Sequence, residues 1–193
     1  MSPLKRMMRK VQDFQEARFA RKRRLIPCGD SGLIRLEPSV YDGPRVTLRT
    51  GRSIEPGMRV ADIHLDSRKI AEFHESMPPM KARIAAVRGT EAAFVWIAGW
   101  LALDSQGHET LALRSTTLLD LELRRFGFEI LPLPVWPWIF IGVYMKWLSY
   151  VYRAEKAGVR EKGAAPFVNR IMPRQAWMTR EDFLERYSED RTP

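Results

Sequence analysis

Apolar and polar residues alternate most regularly in "RVADIHLD", residues 59–66. After Arg59, its ionisable positions are Asp62, His64 and Asp66, and each of these three is separated from the next by one apolar residue. A period of two predicts a half-buried strand over Arg59–Asp66, because successive side chains of a strand point to opposite faces. We therefore expect three ionisable side chains on one face of a sheet. Whether that face meets a substrate or only water is left open.

Shorter apolar runs precede this strand. Leu33–Leu36 and Val46–Leu48 predict two further strands. Turn residues separate them at Asp42-Gly43-Pro44, Thr50-Gly51 and Glu55-Pro56-Gly57. Three short strands joined by turns predict an antiparallel meander.

A helical period replaces the alternation after residue 66. Ser67–Glu75 predicts a helix, and Lys81–Leu103 predicts a longer one that Gly89 divides into two. A strand over Thr110–Arg114, a helix over Leu118–Phe126 and a strand over Phe128–Leu133 follow. The predicted class is α/β (α+β), with a single mixed, mostly antiparallel sheet flanked by helices.

Residues 1–26 form a basic arm that differs from the rest of the chain. The arm has nine basic and two acidic residues, so +7 of the formal net charge of +9 lies in it. Its apolar residues fall within one sector of a helical wheel, and most basic residues lie opposite, which predicts a basic amphipathic helix. This helix could dock on its own domain by the apolar side, bind an anionic membrane surface, or bind nucleic acid. Nucleic acid is the least favoured partner, because no DNA- or RNA-binding module follows the arm.

The second unusual segment is "ILPLPVWPWIFIGVYMKWLSYVY", which has one charge, Lys146. A helix over 138–152 would be about 22 Å long at 1.5 Å per residue, shorter than a hydrocarbon core of about 30 Å. One interpretation is a buried helix, or one that forms a homodimer. The other is an interfacial helix, with Trp136, Trp138 and Trp147 at headgroup depth and Lys146 beside lipid phosphate.

The middle of the chain resembles a known bacterial family. The segment "YDGPRVTLRTGRSIEPGMRVADIHLDSRKI" is similar to the opening of the YkoP-like domain, with Tyr41, Gly43, Gly51, Pro56-Gly57 and Ile63-His64-Leu65 at the family's positions. The later "LRRFGFEI" and "AWMTREDFLERYSED" are also similar, so the resemblance covers most of 31–190. Met58 and Asp66-Ser67 depart from the pattern, which has Asp and Asn there. The resemblance implies a cell-envelope polysaccharide context and a YkoP-like domain over 31–190, which would follow the basic helical arm (1–26).

A second resemblance suggests an enzyme. Residues 88–130 look like the core of the GNAT acyltransferases, which hold the pyrophosphate of acyl-coenzyme A in a glycine-containing loop at a helix N-terminus. Arg88, Gly89 and Thr90 would be the cofactor-binding residues, and the fold would be GNAT-like. Glu91 would lie close to a phosphate, which it should repel.

The best catalytic candidate is His64, because Asp62 and Asp66 share its predicted strand face and would orient the imidazole for acid–base catalysis. The alternative is an exposed, hydrated strand face. The three histidines match no common zinc motif, so no metal is expected. The single cysteine, Cys28, and a basic N-terminus without a visible secretory signal favour a cytoplasmic location, peripheral to the inner face of the membrane.

The function favoured by the sequence is therefore a YkoP-like, peripheral membrane-associated factor in cell-envelope polysaccharide metabolism. An acyltransferase using acyl-coenzyme A and a nucleic-acid-binding accessory protein are the two alternatives.

Overall fold

The computed structural model of the chain describes residues 3–117, 120–133, 142–144 and 173–188. The helices are α1 (Pro3–Lys22), α2 (Ser67–Ser76), α3 (Pro79–Leu103), α4 (Ser105–Glu109), α5 (Asp120–Arg125) and α6 (Arg180–Tyr187). The strands are β1 (Ile26–Cys28), β2 (Ile34–Val40), β3 (Val46–Thr47), β4 (Ser53–Ile54), β5 (Arg59–Leu65), β6 (Ala112–Thr117), β7 (Glu129–Pro132) and β8 (Arg174–Thr179). Residues 142–144 are helical.

Six strands form one sheet in the order β1-β2-β5-β6-β8-β7. The β5–β6 pair is parallel, because the helices between these strands return the chain to the same end of the sheet. The other neighbouring pairs are antiparallel. The predicted class, a single mixed and mostly antiparallel sheet with helices and an N-terminal helix, is therefore confirmed.

The predicted meander was wrong. β2 pairs directly with β5, with Leu36 opposite Ile63, whereas β3 and β4 form a separate two-stranded sheet. The cause is local: Gly51 adopts a positive φ of 83°, and this turn folds the chain back on itself within a few residues. The segment over 46–54 is therefore a hairpin and not a strand of the main sheet.

The larger hydrophobic core lies on one face of the sheet, where α3 packs. Phe94, Ile97 and Leu101 of α3 belong there to the same buried cluster as Leu36 and Ile63 of the sheet. Among the described residues, α3 is the one helix that is long and apolar enough to cross a membrane by length and composition. Since its inward side is part of this core, we interpret α3 as the core helix of the domain.

A smaller core lies on the opposite face, beneath the hairpin. Tyr41, Leu48, Ile54, Val60 and Trp177 are its largest buried members. This face also carries the ionisable side chains of β2 and β5, because residues paired directly across an antiparallel ladder share a face. The strand alternation at 59–65 thus separates a mostly apolar core face from a polar one.

Candidate active site and membrane surface

The imidazole of His64 lies on the polar face of the sheet. Its Nε2 atom donates a hydrogen bond to Oε2 of Glu37 at 2.9 Å, and Phe19 of α1 packs edge-on against the ring with centroids 5.8 Å apart. Because the Glu37 carboxylate accepts the hydrogen carried by Nε2, the lone pair of the neutral ring lies on Nδ1. The side chain is 34% exposed. His64 is therefore partly open to solvent, between Glu37 and Phe19.

Glu37, and neither aspartate, is the carboxylate that orients His64. In the β2–β5 ladder His64 lies opposite Arg35, so Glu37 is its diagonal neighbour and within reach. Residues two apart along one strand are separated by more than 6 Å, which keeps Asp62 from the imidazole. Glu37 also accepts a hydrogen bond from Nη1 of Arg23 at 3.0 Å. We name Arg35, Glu37, Asp62, His64 and Arg114 the polar row.

Asp62 is instead bound to Arg114 of the neighbouring strand. The guanidinium donates from Nε at 2.5 Å and from Nη2 at 2.9 Å, and the Ser39 hydroxyl donates to the same carboxylate at 2.8 Å. Arg114 lies against the rings of Tyr41 and Trp177, with its Cζ atom 5.3 and 5.6 Å from their centroids. This bidentate, ring-flanked pair has the geometry of a structural contact that fixes β5 against β6.

Asp66 does not continue the strand. β5 ends at Leu65, and the Asp66 side chain accepts hydrogen bonds from the backbone N–H groups of Arg68 (3.0 Å) and Lys69 (3.2 Å), which makes it the N-cap of α2. It also forms an ion pair with Arg35, and its side chain is only 1% exposed. The expectation of three ionisable groups on one strand face therefore holds for Asp62 and His64 only.

Helix α1 covers part of the polar row. Besides Phe19, it places Glu16 close to the Arg35–Asp66 pair. Burial, followed by the negative charges of Asp66 and Asp13, raises the pKa of Glu16 from 4.5 to about 7. The row is thus partly enclosed between the sheet and the N-terminal helix.

Helix α1 docks mostly through polar side chains, which contradicts docking through the apolar side as a whole; Phe19 is the apolar residue that packs on the sheet, against His64. Gln12 is buried and donates a hydrogen bond to the Tyr144 hydroxyl at 3.1 Å, and Arg9 forms an ion pair with Glu75 of α2. Among the apolar residues, by contrast, Met7 is 59%, Val11 52% and Phe14 64% exposed. The physical reason lies in the groups that α1 meets, because Glu75 of α2, the Tyr144 hydroxyl and the Arg35–Asp66 pair are charged or polar partners.

The expected coenzyme A loop is not a loop. Arg88, Gly89 and Thr90 lie in the interior of the 25-residue helix α3, where backbone N–H groups are used in helical hydrogen bonds. Gly89 does not divide the helix. A Cβ atom at that position would lie 3.2 Å from Cδ2 of Leu33, so the glycine lets α3 approach the segment before β2 closely.

The remaining site predictions concern metals, the thiol and the aromatic segment. Within residues 3–117, 120–133, 142–144 and 173–188, no His, Cys, Asp and Glu side chains form a group that could hold a metal ion. Burial raises the pKa of the Cys28 thiol to about 12, so it is not a reactive nucleophile. Most of the aromatic segment lies outside the described residues. This concerns the predicted membrane-binding residues Trp136, Trp138, Lys146 and Trp147 and most of the predicted dimer helix over 138–152.

The profile of the YkoP domain matches residues 5–187 of the chain. The chain belongs to the YkoP domain family. The family resemblance predicted from 31–190 is thereby confirmed, and the match also includes nearly all of α1. No curated protein and no solved structure matches the chain.

The YkoP domain of this chain contains site residues that the sequence reasoning missed. Glu37 and Arg114 belong to the polar row, and Glu16 faces it from α1. A signal for Glu37 was present, because Arg35, Glu37 and Ser39 alternate with neighbours on "IRLEPSV" in the same way as Asp62 and His64 do. Which of these side chains meet depends on strand register, which local patterns do not give.

Proposed function

We propose that this YkoP domain protein binds peripherally to an anionic membrane surface through the solvent-facing side of α1. The location would be the cytoplasmic face of the membrane, and the role would lie in cell-envelope polysaccharide metabolism. The observation that carries the proposal is the docking of α1 mostly through polar side chains, which leaves Met7, Val11 and Phe14 exposed to solvent. The polysaccharide context rests on the family resemblance alone.

The exposed side of α1 combines the two features that interfacial helices need. Met7, Val11 and Phe14 recur at spacings of four and three, so they share one side of the helix. Exposed cations surround them on the same side, namely Lys10, Arg18, Arg21 and Lys22. An apolar strip with basic neighbours is the composition of a helix that lies in the headgroup region of anionic bilayers.

The magnitudes support reversible attachment. Burying one large apolar side chain contributes about 1.5–3 kcal/mol, and each Lys or Arg near an anionic surface about 1 kcal/mol. Part of this is lost to the entropy of association. Neither the apolar strip nor the cations alone would hold the protein firmly, since peripheral attachment usually needs two signals.

The two alternatives are weaker on structural grounds. The acyltransferase alternative loses its pyrophosphate loop, because Arg88–Thr90 lie within a continuous helix. Nucleic-acid binding could use the cations of α1 but leaves Met7, Val11 and Phe14 without a role. An oligonucleotide complex that is insensitive to changes at Val11 and Phe14 would favour the nucleic-acid alternative.

The proposal is tested by co-sedimentation of the full-length protein with vesicles at low salt. We expect binding to vesicles rich in phosphatidylglycerol and little binding to pure phosphatidylcholine. The double variant Val11→Glu/Phe14→Glu should lose about tenfold or more in affinity, because it removes apolar contacts and adds charge repelled by the lipid. The matched control, Val40→Glu/Leu121→Glu, adds the same charge at exposed apolar positions outside α1 and should lose much less.

Absence of lipid binding by the wild-type protein at low salt would contradict the membrane role. Equal binding by both double variants would contradict the assignment to α1.

A further inference from the structure

A second uncovered apolar surface lies on α3. Met80, Ile84, Val87 and Val95 are between 37% and 66% exposed, and their spacings of four, three and eight place them along one side of the helix. With Glu91, which occupies the same side, we name them the α3 stripe. The inward side of the helix, which includes Phe94 and Ile97, is buried in the larger core.

Two charged side chains accompany the α3 stripe. Arg83 lies on its flank and Glu91 lies within it, and both side chains are exposed. Neither side chain forms an ion pair within the part of the chain that the structure describes. Eight residues separate them, or about 12 Å along the helix axis.

The membrane proposed above does not account for this surface. α1 packs on the polar face of the sheet, through Phe19 on His64, whereas α3 packs on the opposite face. The residues of α1 and α3 that pack on the sheet therefore contact different faces of it. A different occupant is needed for the α3 stripe.

The charges are arranged for a second copy of the chain. Val87 is four residues from Arg83 and four residues from Glu91. If two α3 helices pack antiparallel with a two-fold axis at Val87, Arg83 of each copy meets Glu91 of the other copy. We propose that the α3 stripe is the contact surface of such a homodimer, with Ile84 and Val87 at its centre and two symmetric ion pairs beside them.

The test is sedimentation velocity of the full-length protein without lipid. We expect a reversible dimer. Val87→Glu should give a monomer, because two like charges would meet at the axis. The matched control, Leu103→Glu, changes an equally apolar and 86% exposed residue at the end of the same helix, away from the stripe, and should stay dimeric.

A charge exchange tests the pairing itself. Arg83→Glu and Glu91→Arg should each raise the dimer dissociation constant about tenfold, because each places like charges opposite one another. The double variant R83E/E91R should return close to the wild-type constant. A wild-type monomer at every concentration, equal effects of Val87→Glu and Leu103→Glu, or no rescue by the double variant would overturn the proposal.

The outcome is independent of the proposed membrane role. Val11→Glu/Phe14→Glu changes α1 and should leave the dimer intact, whereas Val87→Glu should dissociate it.

Discussion

At the scale of single residues, the ion pairs of the protein differ in how far water reaches them. Asp62 and Arg114 are largely enclosed by Tyr41, Trp177 and the sheet, with side chains 16% and 19% exposed. Arg59 and Glu109 form a pair of similar length, 2.9 Å, with both side chains more than half exposed. Exposed pairs contribute little to stability, whereas loss of one member of an enclosed pair leaves the other charge uncompensated.

We predict that Asp62→Asn lowers the free energy of unfolding by about 2–4 kcal/mol, because Arg114 then keeps a charge with no partner beside the rings. Glu109→Gln should cost at most about 0.5 kcal/mol. Urea unfolding followed by circular dichroism measures both. Losses of the same size in the two variants would show that the Asp62–Arg114 pair is as solvated as a surface pair.

The same residues show how far local patterns reach. Period-two alternation correctly placed Asp62 and His64 on one face of β5. It misassigned Asp66, because an aspartate before a helical run can equally be an N-cap. It could not identify Glu37 as the partner of His64, because that contact depends on the register between strands 27 residues apart in the chain.

At the scale of elements, α1 was predicted as a helix, but its docking side was not. The helix wheel gave the position of the apolar sector correctly. The docking side depends on the groups that the domain presents. His64 meets Phe19 of α1, the Arg35–Asp66 pair lies near Glu16 of α1, and Glu37 binds Arg23 just after the helix. Amphipathicity alone therefore predicts the existence of α1 better than its orientation.

Glu16 makes the docking of α1 sensitive to pH. The groups around it are Asp66 and Arg35 on the domain, and Asp13 and Gln12 on its own helix. Its pKa is raised from 4.5 to about 7 in the folded protein. The folded state therefore binds the proton of Glu16 more tightly than the unfolded state does. The contribution of Glu16 to the free energy of unfolding falls as the pH rises from 4.5 to about 7.

We predict that Glu16→Gln removes this part of the pH dependence. The variant should melt above the wild-type protein at pH 8, where wild-type Glu16 is ionised, and close to it at pH 5, where Glu16 is protonated. Differential scanning fluorimetry across this range measures the difference. The control is Glu122→Gln, at an exposed position of α5, which should melt with the wild type at both pH values. If Glu16→Gln shifted the melting temperature equally at pH 5 and pH 8, the assignment would be contradicted.

The central strand–helix–strand unit was predicted correctly as β6, α5 and β7, with shifted ends. What the sequence did not show is that β8 lies between β6 and β7 in the sheet. β8 follows β7 by more than 40 residues, so nothing local indicates where it pairs. In the hairpin, β3 and the turn at Gly51 were predicted but the partner strand β4 was not, because Ser53–Ile54 is too short to show an alternating pattern.

At the scale of the whole molecule, the protein has two uncovered apolar surfaces. One consists of Met7, Val11 and Phe14 on α1, a helix that packs on the polar row through Phe19, and the other is the α3 stripe, on a helix that packs on the larger core. Uncovered surfaces of this kind usually mark sites of interaction with a membrane or a partner. Their separation allows one molecule to contact a bilayer and a second copy without competition.

The central claim is that the solvent-facing side of α1 enters the lipid headgroup region. The most direct measurement is electron paramagnetic resonance of a nitroxide attached at Val11→Cys, since Cys28 is fully buried and should resist labelling. A label at Val40→Cys, also exposed but outside α1, is the control. On addition of anionic vesicles, we predict that the label at position 11 gains accessibility to oxygen and loses accessibility to a water-soluble nickel complex, whereas the control label does not change. Unchanged accessibility at position 11, with the protein bound to the vesicles, would contradict the account.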